Sequence, residues 1–260
     1  MSTLPDPMAA PAVDTAGQYV YCFIRSSEPV TFSSTGIGEL KGTVRAIPYR
    51  DIAVVVSESP VMIYPSRRRN MMPHTRVLEE VMATHTILPA RFSTVVPPED
   101  DLGEDIIAPR YEQLDGLLHE MDGKVELGLR VMWHDGLVFQ EIVEEQDAIR
   151  ALRDQLVGRS PEETHYDRMR LGEMIEAAIE GKRAAEAAAL LDRLRPFAAD
   201  VRENDVLGDR MVLNTAFLVD QAQVPAFDAA LEAIDAEQSH RMSFTYVGPV
   251  PPYNFVSIVL

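Results

Sequence analysis

EQLDGLLHEMDGKVELGLRVMW, residues 112–133, carries the pattern of a helix, a turn and a strand in immediate succession. Apolar side chains occupy every second position of the last part, which is the pattern of a half-buried strand: Val125, Leu127, Leu129, Val131 and Trp133. Asp122 and Gly123 predict the turn before this strand, and residues 112–121 predict a helix. The stretch therefore predicts a sheet with a helix packed on one face.

The end of the second half of the chain repeats this arrangement. Residues 227–236 predict a helix, residues 237–239 a turn and residues 240–247 a strand. Hairpin strands are predicted before both copies, so each half fits a small antiparallel or mixed sheet with helices on one face. The sequence therefore predicts an α+β fold of two domains, a ferredoxin-like N-terminal domain and a second, modified ferredoxin-like α+β domain.

Shifts in composition and pattern divide the chain into four predicted segments. Residues 1–17 lack the basic start and the apolar middle of a signal peptide and are expected to form a disordered arm. Residues 18–136 are assigned to the ferredoxin-like α+β domain and residues 137–247 to the second α+β domain, which contains long helices. Residues 248–260 are assigned to a proline-rich C-terminal tail.

Hydrophobic periodicity predicts the other elements. Two apolar runs on either side of Asp51 predict a hairpin. Helices are expected at residues 71–87, 104–121 and 140–157. Ser160 and Glu163 form a capping box with Pro161 at the first helical position, which predicts a further helix that continues to about Arg195.

The chain is strongly acidic, with 41 Asp and Glu against 24 Lys and Arg and a formal net charge of −17. Such a field repels a phosphate backbone, so no nucleic-acid partner is expected. No apolar run approaches the ~20 residues that span a bilayer, so no membrane partner is expected either. The single cysteine, Cys22, allows no internal disulfide, and a cytoplasmic location is expected.

Arg67, Arg68 and Arg69 form the one basic cluster in the sequence. Because they follow Tyr64 and Pro65, they are typical of an exposed loop. The functional alternative is a contact point for an acidic partner surface. We therefore treat the three arginines as candidate partner-binding residues.

The sequence offers no recognisable catalytic, cofactor-binding or metal-binding residues. Cys22 lies within an apolar strand, where a thiol behaves as a small buried hydrophobe. His74 and His85 return to one face of a predicted helix but are separated by about 16 Å at 1.5 Å per residue, too far to share an ion. These observations favour a binding or assembly protein, not an enzyme. The alternative is a ferredoxin-like small-molecule-binding or enzymatic module.

GPVPPYNFV, residues 248–256, makes the end of the chain stiff and apolar. Prolines restrict φ and bias the preceding residue towards an extended conformation. Gly248 permits a turn after the last strand, and Tyr253 and Phe255 are expected to enter apolar pockets. We expect this segment to pack back on its own protein, across the junction of the two domains. A recognition surface is the alternative.

Four stretches in combination resemble the gas vesicle protein F/L family, over roughly residues 19–256. They are HTRVLE at 74–79, TILPARFSTV at 86–95, VELGLRVMW at 125–133 and YVGPVPPYNFV at 246–256. The residues that carry the family motif are Leu88, Pro89, Arg91, Phe92, Trp133, Gly248, Pro249, Pro251, Pro252, Tyr253 and Phe255. The chain departs from the family at Ser93, where Gly is common, and at Val250, where Trp is common.

The resemblance implies an accessory protein of gas vesicles, the protein-shelled gas compartments of buoyant prokaryotes. The implied partners are the small hydrophobic gas vesicle shell protein and other gas vesicle accessory proteins, during vesicle nucleation and growth. The resemblance also implies two α+β domains, the first ferredoxin-like, and no cofactor. We therefore expect a cytoplasmic, gas-vesicle-associated protein. Whether it is the F-type or the L-type paralogue stays open.

Overall fold

The structure, a computed structural model, describes residues 16–256, 258 and 260. Most of the arm expected at residues 1–17 lies outside the described residues. Ala16 and Gly17 are described and belong to the first strand, so the expectation is wrong for these two positions. The described residues divide into two units: one reaches Asp122 and includes the residues from Pro251 onwards, and the other is Gly123–Val250.

The first unit is built on an antiparallel sheet. Its strands are β1 (Ala16–Arg25), β2 (Val30–Thr35), β3 (Thr43–Tyr49), β4 (Ile52–Pro60), β5 (Ile87–Pro89) and β6 (Val95–Val96). The order is β2-β3-β4-β1-β5, and β6 also pairs with β1. The predicted hairpin around Asp51 is confirmed, because Tyr49 pairs with Ile52 across it. Residues 19–24 of β1 are fully buried inside the sheet, which explains their continuous apolar run.

Two helices accompany this sheet. α1 (Arg68–Met82) lies between β4 and β5 in the chain, and α2 (Tyr111–Met121) follows β6 and the short helical turns Leu102–Ile107 and Ala108–Arg110. Four strands therefore precede the first helix, whereas a ferredoxin-like unit alternates as β-α-β-β-α-β. The α+β class is confirmed, but the ferredoxin-like detail of the first domain is not.

The second unit has one sheet and four helices among the described residues. Its elements are β7 (Lys124–Trp133), α3 (Leu137–Glu145), α4 (Asp147–Leu156), α5 (His165–Leu194), β8 (Asp200–Glu203), β9 (Met211–Asp220), α6 (Val224–Gln238) and β10 (Met242–Val250). The strand order is β10-β7-β9-β8, with all neighbours antiparallel. The chain order is β-α-β-β-α-β with three helices in the first connection. The modified ferredoxin-like description of this domain stays a prediction.

Several predicted boundaries in this unit differ from the structure. β7 pairs with β9 and β10, so the division between the units falls before β7 and not at residue 136. The helix expected at 140–157 is two helices that meet at Gln146. The predicted cap contact exists, since the Glu163 N–H donates to Ser160 Oγ at 3.3 Å. The following helix nevertheless begins only at His165.

An ionic cluster joins α3, α5 and Arg241, the residue immediately before β10. Arg241 donates two hydrogen bonds to Glu141, at 2.7 and 2.6 Å, and one to Glu186 at 2.7 Å. Lys182 lies 3.1 Å from Glu141. The hydrogen bond from Arg241 has the largest effect on Glu141 and, together with Lys182, lowers its pKa against the opposing effect of desolvation. Trp133 Nε1–H donates to Glu186 at 2.6 Å, which connects the core of the sheet to this cluster.

Candidate partner-binding surface

The C-terminal tail packs on its own protein, as expected from its prolines. Residues 251 and 252 are buried prolines, and Val256 and Ile258 are 6% and 3% exposed. Neither Tyr253 nor Phe255 is fully buried in an apolar pocket as predicted, because Tyr253 is 44% exposed and Phe255 is only half-buried. The described tail residues from Pro251 onwards belong to the first unit. A position across the junction of the domains stays a prediction.

Gly248 is required at a bulge in β10, not at a turn after it. Its φ is +149°, and the β10–β7 register shifts between Val247 and Val250. A Cβ at this position would lie 2.8 Å from Leu127 Cδ2 and 3.1 Å from the Glu126 carbonyl oxygen. A side chain here would therefore strain the backbone and clash with β7.

A cavity of about 530 Å³ opens between α1, the β5–β6 turn and the tail. α1 contributes Met71, His74 and Thr75, the end of β5 and the turn after it contribute residues 89–92, and the tail contributes Tyr253, Val256 and Ile258. All of these residues belong to the first unit. The volume is in the range of small-molecule and side-chain binding pockets. The cavity brings together the motif residues Pro89, Arg91, Phe92 and Tyr253.

A buried hydrogen-bond network fixes His74 at the wall of this cavity. The Ser93 N–H donates to the Tyr19 hydroxyl at 3.0 Å, and that hydroxyl lies 3.0 Å from His74 Nδ1. A buried hydroxyl that already accepts one hydrogen bond has its own proton to donate, and Nδ1 is the acceptor in reach. His74 is therefore neutral with its proton on Nε2. This nitrogen has no hydrogen-bond partner in the described part of the chain.

His74 is expected to make stability depend on pH. Burial lowers the pKa of His74 from its ordinary 6.5 to about 4. Since the unfolded chain binds the proton first, stability is full above pH 6.5 and falls by up to about 3 kcal/mol as pH falls to about 4. His74→Asn keeps an acceptor for Tyr19 but does not titrate. The difference in free energy of unfolding between the wild type and this variant should therefore shrink as the pH falls from 7 to 4. A difference that stays constant over this range would contradict the assignment.

The three arginines of the basic cluster lie at the start of α1. All three are exposed, and Arg67 is the residue immediately before the helix. The expectation of a loop is therefore wrong for Arg68 and Arg69, which are helical. Arg91 is also exposed, at the edge of the cavity. Arg67, Arg68 and Arg69 do not line the cavity themselves but lie within four residues of the lining residue Met71 at the start of α1. We call the cavity together with Arg91 and these three neighbouring arginines the arginine-rimmed cavity.

Several predicted motif residues, including Pro89 at the cavity, are part of the strands and the core. Leu88 and Pro89 are buried in β5, where both residues pair with β1. Trp133 is 1% exposed in the core of the second unit. Pro249 is exposed in β10. These residues therefore belong to two different units, and only part of the motif lies at the cavity.

The sequence reasoning missed the polar network behind the cavity. Tyr21 shares a 2.9 Å hydrogen bond with Ser57, and Tyr64 shares one of 2.8 Å with Ser59. The signal was present: Tyr19 and Tyr21 alternate on β1, while the two serines alternate on β4. Alternating polar tips on neighbouring strands face one another across an antiparallel pair. An apolar run with hydroxyls at every second position therefore predicts a hydrogen-bonded layer.

The described residues show neither a metal-binding cluster nor a membrane-spanning helix. No group of three or more His, Cys, Asp or Glu in residues 16–256, 258 and 260 is arranged to bind a metal ion. Among the helices that the structure describes, none combines the length and the apolar character needed to cross a bilayer. Cys22 is fully buried, and its burial raises the pKa of the thiol.

Residues 17–257 match the family model described as gas vesicle synthesis protein GvpL/GvpF. The chain belongs to this family. Gas vesicle protein F from Streptomyces sp. (strain CB03234) is 30% identical over 241 residues, covering 92% of this chain and 98% of that protein. Gas vesicle protein F from Nostoc sp. (strain PCC 7120) is 27% identical, covering 94% and 99%.

Solved structures of the GvpL/GvpF family share the fold. The crystal structure of GvpF from Anabaena sp. PCC7120 matches with a TM-score of 0.82 at 26% identity, over 94% of this chain and all of that chain. GvpF from Microcystis aeruginosa matches with a TM-score of 0.75 at 27% identity, over 92% and 98%. Membership of the GvpL/GvpF family gives the chain a role related to gas vesicles, and its mixed fold with two antiparallel sheets is that of GvpF.

Proposed function

We propose that this chain is a non-enzymatic accessory protein of gas vesicle assembly. It binds the small hydrophobic shell protein, other accessory proteins, or both, while a vesicle is nucleated and grown. The observation that carries the proposal is the arginine-rimmed cavity, an apolar opening with exposed arginines on a protein of net charge −17. Family membership supplies the vesicle context for this surface.

The physical basis of the role is control of aggregation. A subunit that assembles into a gas-tight wall exposes apolar surface before assembly, and such surface aggregates. A strongly acidic protein that covers this surface keeps the complex dispersed through charge repulsion. Release of the subunit then allows polymerisation. This role requires a binding surface and no reacting group.

Replacing Arg67, Arg68 and Arg69 together by Glu is expected to weaken capture of the partner without unfolding the protein. Exposed charge changes alter stability by about 0.5 kcal/mol or less each, whereas charge reversal at an interface repels an acidic partner. The tagged wild-type chain and the variant are compared for co-purification of the host's small shell protein, and their melting temperatures are measured. Equal capture by both would remove the three arginines from the binding surface.

The cavity also favours a second candidate, a small-molecule-binding module. Its volume of about 530 Å³ and the His74 Nε2–H, which has no hydrogen-bond partner among the described residues, are features of ligand pockets. A thermal-shift screen with metabolites separates the two functions. A large shift with a metabolite, together with no capture of any vesicle protein, would reverse their order.

A further inference from the structure

The segments that build the arginine-rimmed cavity are locally cationic in an acidic chain. Residues 59–78, 86–98 and 250–260 contain five arginines and no Asp or Glu. The whole chain has 41 acidic residues. These three segments come from distant parts of the sequence and meet at one cavity. These segments are therefore positively charged although the protein as a whole is acidic.

The arginines of this surface are available to a partner. Arg67, Arg68, Arg69 and Arg91 are exposed and form no ion pair with the residues that the structure describes. Arg25, by contrast, pairs with two carboxylates of its own chain. Guanidinium groups bind carboxylates through paired, charge-assisted hydrogen bonds. The available arginines therefore favour an anionic group on the ligand, and a carboxylate is the anion that a polypeptide side chain supplies.

Apolar side chains extend this surface beyond the cavity. In the loop between β4 and α1, Ile63 is 86% exposed and Met62 is 47% exposed. The Tyr64 N–H donates to Ser93 Oγ at 2.6 Å, which places this loop beside the turn that carries Arg91. On α1, Met72 is 42% exposed and follows Met71, which lines the cavity and is also 42% exposed. Flexible methionine side chains adapt to an apolar partner.

We propose that the arginine-rimmed cavity docks a polypeptide segment in which apolar side chains stand next to Asp or Glu. The apolar side chains enter the cavity, the carboxylates pair with the arginines, and the His74 Nε2–H donates to a carbonyl of the segment. A polypeptide fits better than a small molecule because the apolar and cationic side chains continue outside the cavity. This inference rests on the proposed function and identifies the binding surface and the chemistry of the partner.

A synthetic amphipathic peptide of Leu and Glu, labelled with a fluorophore, is the probe. Its binding to the full chain is measured by fluorescence anisotropy. Arg91→Glu and Met71→Asp are expected to raise Kd by about tenfold or more, because each removes a contact with a residue that lines the cavity. The matched controls are Arg170→Glu and Met169→Asp on α5 of the second unit. Arg170 is exposed and Met169 is 51% exposed, and both controls should leave Kd unchanged.

A second peptide, with every Glu replaced by Lys, separates local from overall electrostatics. The net charge of −17 favours the basic peptide, whereas the arginine-rimmed cavity favours the acidic one. We expect the wild type to bind the acidic peptide more tightly than the basic one. We also expect the two cavity variants to lose binding of the acidic peptide. Tighter binding of the basic peptide, or equal effects of the cavity and control variants, would overturn the proposal.

Two further measurements separate this proposal from others. Decanoate carries a carboxylate on an apolar chain without a polypeptide backbone, and its binding in the absence of peptide binding would overturn the polypeptide partner in favour of a small amphiphile. Capture of the shell protein by the wild type, with no peptide binding, would reject this docking surface and leave the proposed function standing. Specific peptide binding at the cavity without capture of any vesicle protein would support this docking surface and contradict the proposed function.

Discussion

Truncation after Val250 is expected to destabilise the first unit by roughly 3–6 kcal/mol, because burial of a Val or Ile side chain contributes about 1.5–3 kcal/mol and two such residues are lost. These residues are Val256 and Ile258, which are 6% and 3% exposed and line the cavity. The buried prolines at 251 and 252 are lost as well. Differential scanning calorimetry of the full chain and the truncated chain measures the effect.

The matched control for this truncation is Tyr253→Ala. Tyr253 is 44% exposed, so its replacement is expected to cost about 1 kcal/mol or less. The comparison separates packing of the tail from the presence of an aromatic ring. A truncated chain with the full thermal stability of the wild type would show that the tail contributes nothing to folding.

Trp133→Ala is expected to destabilise the second unit by about 3–5 kcal/mol, the range for truncation of a buried aromatic side chain. Trp133 is 1% exposed within the core that β7, β9 and the helices form. The replacement leaves a cavity and also removes the 2.6 Å hydrogen bond from Nε1–H to Glu186. Thermal and urea unfolding of the purified variant measure the loss.

Trp133→Phe is the control that separates packing from hydrogen bonding. It keeps most of the apolar volume but lacks the donor, and Glu186 still accepts a 2.7 Å hydrogen bond from Arg241. Its cost should therefore be about 1–2 kcal/mol, well below that of the alanine variant. Equal costs for the two variants would mean that the bond to Glu186, and not core packing, explains why Trp133 stabilises the unit.

Strong periodicity in the sequence predicted individual helices and strands, but not which strands pair with one another. The alternation in residues 124–133 predicted β7 correctly, because one face of the strand is buried in a core. Nothing in that alternation shows that β7 pairs with β9 and β10, so it was assigned to the wrong unit. Strand pairing depends on contacts between distant residues, which a local pattern does not contain.

Local signals also misplaced the start of α1. Pro73 is typical of a first helical turn and favoured a start near residue 71, whereas the helix begins at Arg68. The arginines that precede Pro73 are good helix formers. Tertiary packing of Val77 and Leu78 stabilises the helix despite its internal proline.

The candidate site was only partly predictable. The three arginines were visible as a cluster, but Arg91 was visible only as a motif residue. The cavity that joins them to the tail depends on α1, β5 and residues 251–258 meeting in space. The burial of His74 likewise follows from packing against Tyr19 and Phe92, which are distant in the sequence.

Vesicle counts in a strain that lacks this gene give the most direct test of the proposed function. Electron microscopy of the deletion strain should show no mature gas vesicles, and a plasmid copy of the wild-type gene should restore them. A copy with Arg67, Arg68 and Arg69 replaced by Glu should restore fewer, while its product accumulates to the normal level. Normal numbers of mature vesicles in the clean deletion strain would contradict a role in gas vesicle assembly.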